Sequence, residues 1–404
     1  MCLAQNGGKK MFKRASVDKI ASRMNEATPH IQIVNGPRQC GKTTALKQAL
    51  EEIDLPNIYV SADQFINNGE EWLKAQWQAA RNLCDTKNIQ TVLVVDEIQS
   101  IKQWSSIVKS LYDEDRWVNR KLKVVLSGSS SLLLQKGLTE SLMGRFELLP
   151  QTQWTYEECR DAFDYSLEDY LYFGGYPGAA MFKDDKERWI NYMQYSVIMP
   201  SISKDIISLE DVRKPHLMEK LFMLGCAYSS QELSYRKILG QLDEAGNMTT
   251  VAHYLGFLDN ANLLCGLMKF DTKPIRSKSS SPRFCAYDPS FLTVANTQLS
   301  NVFVSESEKL GRITESTVGS HLLKRSRLEN FNVYWWRDGN DEVDFVVQKG
   351  EKVSAIEVKS GRVKGLKGMQ KFLNLYPFAK SIVVGSDYAG CSLEKFLSKD
   401  FELF

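Results

Sequence analysis

The chain has 404 residues, of which 43% are hydrophobic and 25% charged, and its formal net charge at pH 7 is +2. This length allows two or three domains, and the composition is ordinary for a globular protein. A net charge this small excludes an overall electrostatic attraction to nucleic acid or membranes, so any nucleic-acid contact must come from a local patch.

The cysteines indicate a reducing compartment. All eight are widely scattered, with no C-x-x-C pair and no Cys/His cluster. We therefore expect reduced thiols in a cytoplasmic protein rather than disulfides or zinc. No run of about 18 apolar residues is present, so neither a membrane-spanning helix nor a membrane partner is expected. The first residues also lack the apolar segment of a signal peptide.

A phosphate-binding pattern opens the first predicted α/β unit. The sequence GPRQCGKT at 36–43 fits G-x-x-x-x-G-K-[ST] and lies between an apolar run and a helical stretch. Backbone N–H groups of such a loop form an anion site at a helix N-terminus. Lys42 would reach the terminal phosphates of ATP, and the Thr43 hydroxyl would bind Mg²⁺. The strand–loop–helix context disfavours the alternative of a chance glycine-rich turn.

A second motif follows the apolar run at 91–95, where Asp96 and Glu97 stand together. Such a run is typical of a strand buried on both faces of a parallel sheet, and ligands bind outside the carboxyl ends of such strands. We expect Asp96 to hold Mg²⁺ and Glu97 to polarise the attacking water. The alternative is a helix N-cap after a core strand, which the pairing with Lys42 makes less favourable.

Two further residues are predicted to serve the same site. Ser129 follows the next strand and would touch the γ-phosphate. Arg145 would stabilise charge in phosphoryl transfer, either in cis or from a neighbouring subunit of a homo-oligomer. A surface or ion-paired arginine is the open alternative. The residues expected to contact ATP are Gly36, Pro37, Arg38, Gln39, Cys40, Gly41, Lys42, Thr43, Thr44 and Ser129.

Apolar strands alternate with helical patterns over residues 15–150, which is typical of a three-layer α/β domain with a parallel sheet. We place this domain at 1–150 and interpret 151–230 as a helical lid or connector. Within the connector, Gly174 and Gly175 predict a turn or lid hinge. The strands of the first domain are expected at 31–34, 57–60, 92–95 and 123–126.

Residues 231–290 are interpreted as a winged-helix domain, with helices at 234–242 and 249–260 and a cap at Thr249 or Thr250. The loop at 273–283 carries four basic residues and would lie on DNA phosphates as the wing. A solvated loop is the alternative. The second helix has no Lys or Arg, which counts against sequence readout.

The C-terminal region, 291–404, holds a second set of chemical residues. A hairpin pattern with its turn between 350 and 351 places Asp344 opposite Glu357, with Lys359 on the same face. Glu315, at the start of an amphipathic helix, would complete the cluster. Such a set suits a Mg²⁺-dependent nuclease with Glu315, Asp344 and Glu357 on the metal and with Glu357 and Lys359 in catalysis. A surface hairpin with cross-strand ion pairs is the alternative.

The chain resembles bacterial and archaeal AAA-type ATPases that carry a C-terminal DUF4143 domain. The resemblance implies a P-loop NTPase core of the AAA/STAND type, a winged-helix middle and a C-terminal restriction-endonuclease-like α/β domain of the PD-(D/E)xK type. Val343 stands where that superfamily has its proline. The matching segments are GPRQCGKTT at 36–44, DEIQ at 96–99, SGSS at 127–130, GRF at 144–146, GGYP at 174–177, Glu315, YWWR at 334–337, EVDF at 342–345 and EVK at 357–359.

Three functional hypotheses follow, all with ATP and Mg²⁺ as cofactors. The first is an ATP-hydrolysing protein that couples nucleotide state to a DNA-directed, Mg²⁺-dependent nuclease-like domain. The second is a non-nucleolytic ATP-driven switch whose C-terminal domain binds nucleic acid or a protein partner. The third is a regulator that assembles on binding ATP. The acid–acid–lysine set favours the first, whereas the small net charge and the helix without basic residues favour the second.

Overall fold

The computed structural model describes residues 11–64, 68–128, 141–207, 212–233, 235–241, 247–272, 281–298, 306–359, 365–385 and 391–404. The chain divides into two compact units. The first comprises Met1–Thr152 and Lys204–Glu210, and the second comprises Gln153–Ser203 and Asp211–Phe404.

The first unit is built on a five-stranded parallel sheet with the strand order β2-β3-β4-β1-β5. All four predicted strands are confirmed, and β5 is an addition. Because the strands are parallel, their carboxyl ends lie at one edge of the sheet, where ligands bind in folds of this class. The strands are β1 (Ile31–Asn35), β2 (Asn57–Ser61), β3 (Thr91–Asp96), β4 (Leu122–Gly128) and β5 (Phe146–Pro150).

Helices cover both faces of this sheet, and each face forms its own apolar core. The helix α1 buries Val17, Ile20, Ala21 and Met24, which recur at the spacing of one helical face. These residues and α2 pack on one face, while α3 and α4 pack on the other. The helices are α1 (Ala15–Asn25), α2 (Lys42–Glu51), α3 (Gly69–Lys87) and α4 (Trp104–Trp117), with 3-10 turns at Ala62–Gln64 and Ile98–Ser100.

The second unit starts with short helices that have strong N-terminal signals. Thr155 and Ser166 each form a capping box with an acidic residue three positions on, which satisfies N–H groups that a helix leaves unpaired. The helices are α5 (Tyr156–Phe163), α6 (Leu167–Phe173), α7 (Lys186–Tyr192), α8 (Met199–Ile202), α9 (Pro215–Ala227), α10 (Tyr235–Gln241), α11 (Met248–Asn260), α12 (Pro289–Gln298), α13 (Glu306–Glu329), α14 (Lys367–Leu375) and α15 (Leu393–Phe396). A 3-10 segment covers Pro177–Phe182 and a π-helical segment covers Met193–Ile198. A further π-helical segment, Ser203–Ile207, belongs to the first unit from Lys204 onward.

A seven-stranded mixed sheet organises the rest of this unit, in the order β12-β11-β10-β9-β8-β6-β7. The predicted hairpin is confirmed in register, since Lys349 pairs with Lys352 and Phe345 pairs with Ile356. Both faces of the hairpin are buried, and α14 closes one of them through Phe372. The strands are β6 (Leu264–Lys269), β7 (Arg283–Ala286), β8 (Asn332–Asp338), β9 (Asp341–Lys349), β10 (Lys352–Lys359), β11 (Lys380–Gly385) and β12 (Cys391–Ser392).

The segment interpreted as a winged helix has helices in the two predicted places, but its two strands do not form a separate hairpin. The strand β6 pairs antiparallel with β7 and parallel with β8, so the hairpin continues the C-terminal sheet. The cap of α11 is Asn247 rather than Thr249 or Thr250, because its side chain accepts the Thr250 N–H at 2.7 Å. The domain limits drawn from the sequence stay a prediction.

One other sequence expectation needs correction. The helix that bears Glu315 begins at Glu306, so Glu315 lies inside it rather than at its start.

Among the described helices, none combines the length and the apolar character that crossing a membrane requires.

Candidate functional site

The phosphate-loop pattern folds as a tight turn between β1 and α2. Gln39 and Gly41 adopt left-handed backbone conformations, with φ of 58° and 87°, which is how successive N–H groups come to line an anion-binding concavity. Gly36 is required by close packing, because a Cβ there would lie 2.4 Å from the carbonyl oxygen of Gln151. Cys40 is fully buried, whereas Gln39 and Thr44 are exposed.

Lys42 is the seventh of the eight residues in the phosphate-loop pattern, and its ammonium lies against the loop backbone. Its ammonium donates hydrogen bonds to the carbonyl oxygens of Gly36, at 3.0 Å, and Pro37, at 2.7 Å. The residue is only 5% exposed. The loop's own carbonyls therefore hold the positive charge where a bound phosphate would meet it.

Asp96 is the acceptor on which the rest of this site converges. Its carboxylate accepts hydrogen bonds from the hydroxyls of Thr43 (2.6 Å), Tyr59 (2.7 Å) and Ser127, and from the N–H of Glu97 at 3.1 Å. Asp96 is 2% exposed, and a carboxylate taken out of water needs such donors. These contacts fix the carboxylate at the end of β3, next to the loop.

Glu97 follows with a left-handed backbone, at φ 54°. One of its oxygens accepts a hydrogen bond from the Gln99 amide at 2.5 Å. This turn separates the Glu97 carboxylate from the strand that holds Asp96, and so gives the two acids different surroundings.

Three predicted residues of the second unit form a separate acidic cluster, which comprises Glu315 on α13, Asp344 on β9 and Glu357 on β10. Asp344 accepts the Val358 N–H at 2.8 Å. The Lys359 ammonium donates to Glu357 at 2.5 Å. The hairpin thus places Asp344 beside the β10 segment that carries Glu357 and Lys359, as predicted.

The cluster contains a fourth residue that was assigned elsewhere from the sequence. Arg283 was predicted to contact DNA phosphates from an exposed loop, but it starts β7 and is 6% exposed. Its guanidinium lies 2.6 Å from a Glu315 oxygen and 3.6 Å from an Asp344 oxygen. Arg283 is therefore a buried partner of the cluster and is not available to a phosphate backbone.

The Gly174-Gly175 segment, predicted as a turn or a lid hinge, is a turn that packs around a buried ion pair. The Gly175 N–H donates to both oxygens of Asp288, at 3.1 and 3.0 Å, and Lys324 donates to the same carboxylate at 2.8 Å. Gly174 has φ +66°, and a Cβ there would lie 1.9 Å from Asp288. A segment fixed by these contacts lacks the freedom of a hinge.

Comparison with protein-family models divides the chain into three matched segments. A model described as an AAA domain matches residues 28–159. A domain of unknown function, DUF8612, matches 164–301, and a second one, DUF4143, matches 310–397. The chain combines an AAA-type P-loop domain with a C-terminal DUF4143 domain.

Two known proteins are similar to this chain over more than two thirds of its length. The chain is similar to the uncharacterized protein MJ1544 of Methanocaldococcus jannaschii, with 25% identity over 351 residues that cover 81% of this chain and 74% of that protein. The Walker-type ATPase PABY2304 of Pyrococcus abyssi has 14% identity and a TM-score of 0.51, and the match covers 72% of this chain and 99% of that one. The RuvB branch migration motor of Thermotoga maritima has a TM-score of only 0.33, which is too low to show a shared fold.

In the AAA-type domain, the Asp96 surroundings fit a magnesium ion. The Thr43 hydroxyl and the Asp96 carboxylate are hard oxygen ligands that lie 2.6 Å apart, and Mg²⁺ is usually bound by one or two such groups together with waters and substrate phosphates. Burial and the Asp96 charge raise the pKa of Tyr59, so its phenol keeps the proton with which it supports Asp96.

Several residues of the AAA-type domain were missed from the sequence. Arg14 is buried and donates to the carbonyl oxygens of Cys40, at 3.2 Å, and Thr152, at 3.1 Å, which ties the phosphate loop to the end of β5. Tyr59 and Ser127 were not assigned to Asp96. Tyr59 lies in the middle of β2 and Ser127 near the end of β4, and their places on the two strands that flank β3 were the available signal.

The two remaining predictions for this domain stay open. Ser129 lies outside the described residues. Arg145 makes a two-pronged ion pair with Asp113, at 2.8 and 3.0 Å. To stabilise a phosphate, in cis or in trans, Arg145 must first leave that in-chain pair.

In the DUF4143 domain, the acidic cluster as arranged does not fit a divalent metal ion. The charged groups of Arg283 and Lys359 donate to Glu315 and Glu357, and the Val358 N–H donates to Asp344. At Asp96, by contrast, all the hydrogen-bond donors are neutral groups, which do not repel a metal ion by charge. Among the described residues, no three His, Cys, Asp or Glu side chains form a group that could hold a metal. One oxygen of Glu357 is buried without a hydrogen-bond partner in the described part of the chain, which is too little for a metal site.

The acidic cluster should make stability depend on pH. Burial, followed by the nearby Asp344 charge, raises the pKa of Glu315 and of Glu357, and burial also raises the pKa of Asp344. The folded state therefore holds protons that the unfolded chain releases, so the free energy of unfolding falls as pH rises above the usual carboxyl range of about 4. We expect Glu315→Gln to flatten this fall.

The measurement is urea unfolding of the full chain between about pH 5 and pH 8. The control is Glu351→Gln in the exposed hairpin turn, which should leave the slope unchanged. A slope that is equal in wild type and Glu315→Gln would contradict the assigned direction.

Proposed function

We propose that this protein binds and hydrolyses ATP at the AAA-type domain. The observation that carries the proposal is the convergence of Lys42, Thr43 and Asp96 at the carboxyl edge of the parallel sheet, with Thr43 and Asp96 in direct contact. This is the arrangement that phosphoryl transfer needs, because catalysis there is mostly positioning and charge stabilisation.

Each residue has a defined role in this proposal. Lys42 exchanges its loop carbonyls for the terminal phosphates and stabilises the charge that develops on them. Thr43 and Asp96 are the groups that would hold Mg²⁺, which supplies further neutralisation of phosphate charge when bound. Glu97 orients the attacking water and accepts its proton.

We expect Glu97→Gln to separate ATP binding from hydrolysis. The amide cannot accept the water's proton, so kcat should fall by about 10²-fold or more, while ATP affinity stays near the wild-type value. Phosphate release and nucleotide-binding calorimetry measure the two effects. The control is Glu71→Gln on the exposed face of α3, and normal turnover by Glu97→Gln would remove Glu97 from the mechanism.

For the DUF4143 domain we propose a non-nucleolytic role, in which it binds nucleic acid or a protein partner under control of the nucleotide state. The pairing of the acidic cluster with Arg283 supports this proposal over cleavage. Of the basic loop predicted to contact DNA, residues 273–280 lie outside the described residues, and Arg283 is engaged within the domain. Any DNA contact of this domain therefore uses basic side chains other than Arg283.

A DNA-directed, Mg²⁺-dependent nuclease is the second candidate. The observation in its favour is the placement of Asp344, Glu357 and Lys359 on adjacent strands, together with the buried, unpartnered Glu357 oxygen. Cleavage of single- or double-stranded DNA by wild type with Mg²⁺ or Mn²⁺, lost in Glu357→Ala/Lys359→Ala, would establish it. Assembly into a homo-oligomer belongs to the proposal only if Arg145 acts in trans, and size measurement with a slowly hydrolysed ATP analogue tests that point.

A further inference from the structure

We infer that Arg283 is the resident cation of the acidic cluster and that it excludes a divalent metal ion from the DUF4143 domain. The inference concerns this domain alone and does not depend on ATP hydrolysis. It gives a structural reason for the proposed non-nucleolytic role.

Each of the three guanidinium nitrogens of Arg283 has a hydrogen-bond acceptor. Its Nε donates to the Ser230 carbonyl oxygen at 2.9 Å and its Nη1 to the Asp344 carbonyl oxygen at 3.2 Å. Its Nη2 lies 2.6 Å from Glu315 Oε1 and 3.6 Å from Asp344 Oδ1. Because a guanidinium is planar and rigid, these contacts fix its position and orientation together.

The guanidinium occupies the place that a metal ion would need in order to bridge Glu315 and Asp344. The nitrogen Nη2 lies within reach of carboxylate oxygens from two different elements, α13 and β9. Mg²⁺ requires its ligand oxygens at about 2.0–2.1 Å in near-octahedral geometry. An ion placed between Glu315 and Asp344 would collide with the guanidinium and be repelled by its charge.

Displacing Arg283 is unfavourable. The side chain is 7% exposed, and a buried charge that loses its partners is strongly destabilising. Nor does the neighbouring cavity, of about 400 Å³, offer another way to the carboxylates. Arg283, Trp335, Arg337 and Glu342 help to line it, whereas Glu315, Asp344 and Glu357 do not.

The test is Mn²⁺ binding to nucleotide-free, full-length protein, followed by electron paramagnetic resonance of free Mn²⁺. Mn²⁺ bound at the acidic cluster is counted as the bound Mn²⁺ that is lost when Asp344 is replaced by Asn. We expect the Asp344→Asn variant to bind as many Mn²⁺ ions per chain as the wild type. We expect the Arg283→Gln variant to bind one more Mn²⁺ per chain than the wild type, and the double variant Arg283→Gln/Asp344→Asn to lose that ion. The Tm of Arg283→Gln should rise by several degrees when Mn²⁺ is added, since an ion that binds only the folded state stabilises it.

Arg283→Lys, which keeps a positive charge, should gain much less than Arg283→Gln. A wild-type site that Asp344→Asn abolishes would overturn the inference, and this comparison decides even if Arg283→Gln fails to fold. A folded Arg283→Gln that gains no ion would also overturn it, because the guanidinium would then not be what keeps the metal out. Neither result changes the expectation for ATP hydrolysis.

Discussion

Replacing Lys42 with alanine is expected to abolish ATP turnover, with kcat/KM falling by about 10³-fold or more. The ammonium lies inside the phosphate loop at hydrogen-bond distance from two loop carbonyls. Removing it eliminates the positive charge that meets the terminal phosphates, and a single preorganised donor in such a site is already worth about 10²–10³-fold. Phosphate release under excess Mg²⁺·ATP measures the effect.

The matched control is Lys19→Ala, which removes an exposed lysine from α1 of the same unit and should leave turnover unchanged. Circular dichroism and thermal unfolding of Lys42→Ala check that the loop change has not unfolded the domain. Turnover by Lys42→Ala within a few-fold of wild type would contradict the assignment of the ATP site.

The largest expected loss of stability comes from Lys324→Met in the second unit. Lys324 is 1% exposed and Asp288 is fully buried. The Lys324 ammonium donates to Asp288 at 2.8 Å, to Tyr170 at 3.1 Å and to the Trp154 carbonyl oxygen at 3.2 Å. Breaking a buried pair by removing one partner costs about 3–5 kcal/mol, because the other charge is left uncompensated.

Urea unfolding of the full chain, read from the transition of the second unit, measures this loss. The control is Lys367→Met, an exposed lysine on α14, for which we expect a change within about 0.5 kcal/mol. In the double variant Lys324→Met/Asp288→Asn, the loss should be clearly smaller than the sum of the two single losses, because the residues act as one pair. Additive losses, or a loss below about 1 kcal/mol in Lys324→Met, would show that the pair does not support the fold.

The placement of the two segments of the candidate nucleotide site was predictable because their signals are local. The loop at 36–43 and the pair at 96–97 each follow an apolar strand, and parallel strands bring such segments to one edge of a sheet. The hairpin register in the second unit was predictable for a similar reason, since a tight turn fixes which residues of the two strands face each other. In both cases short-range pattern and long-range geometry agree.

Other contacts that hold each of the two units together internally join residues far apart in the sequence, and no sequence spacing predicts them. Arg14 reaches Cys40 and Thr152, which lie 26 and 138 positions away. Asp288 and Lys324 are 36 positions apart. The strand β5 was overlooked because its residues are only partly buried and it ends in a proline, a residue that cannot donate to a sheet ladder.

Arg283 shows how local composition can mislead. It follows a loop rich in Ser, Pro and basic residues, which indicated solvent exposure. The apolar residues after it, Phe284, Cys285 and Ala286, are fully buried in β7, and the strand carries Arg283 inward with them. The partners that make its burial tolerable, Glu315 and Asp344, lie on other elements and are visible only in the fold.

The most direct test of this account is to follow phosphate release and DNA strand integrity in one reaction of wild-type protein with ATP and either Mg²⁺ or Mn²⁺. The account predicts steady phosphate release, abolished in Lys42→Ala, while single- and double-stranded DNA stay intact under both metals. Strand cleavage that disappears in Glu357→Ala/Lys359→Ala, or an absence of ATP turnover by the wild type, would contradict it.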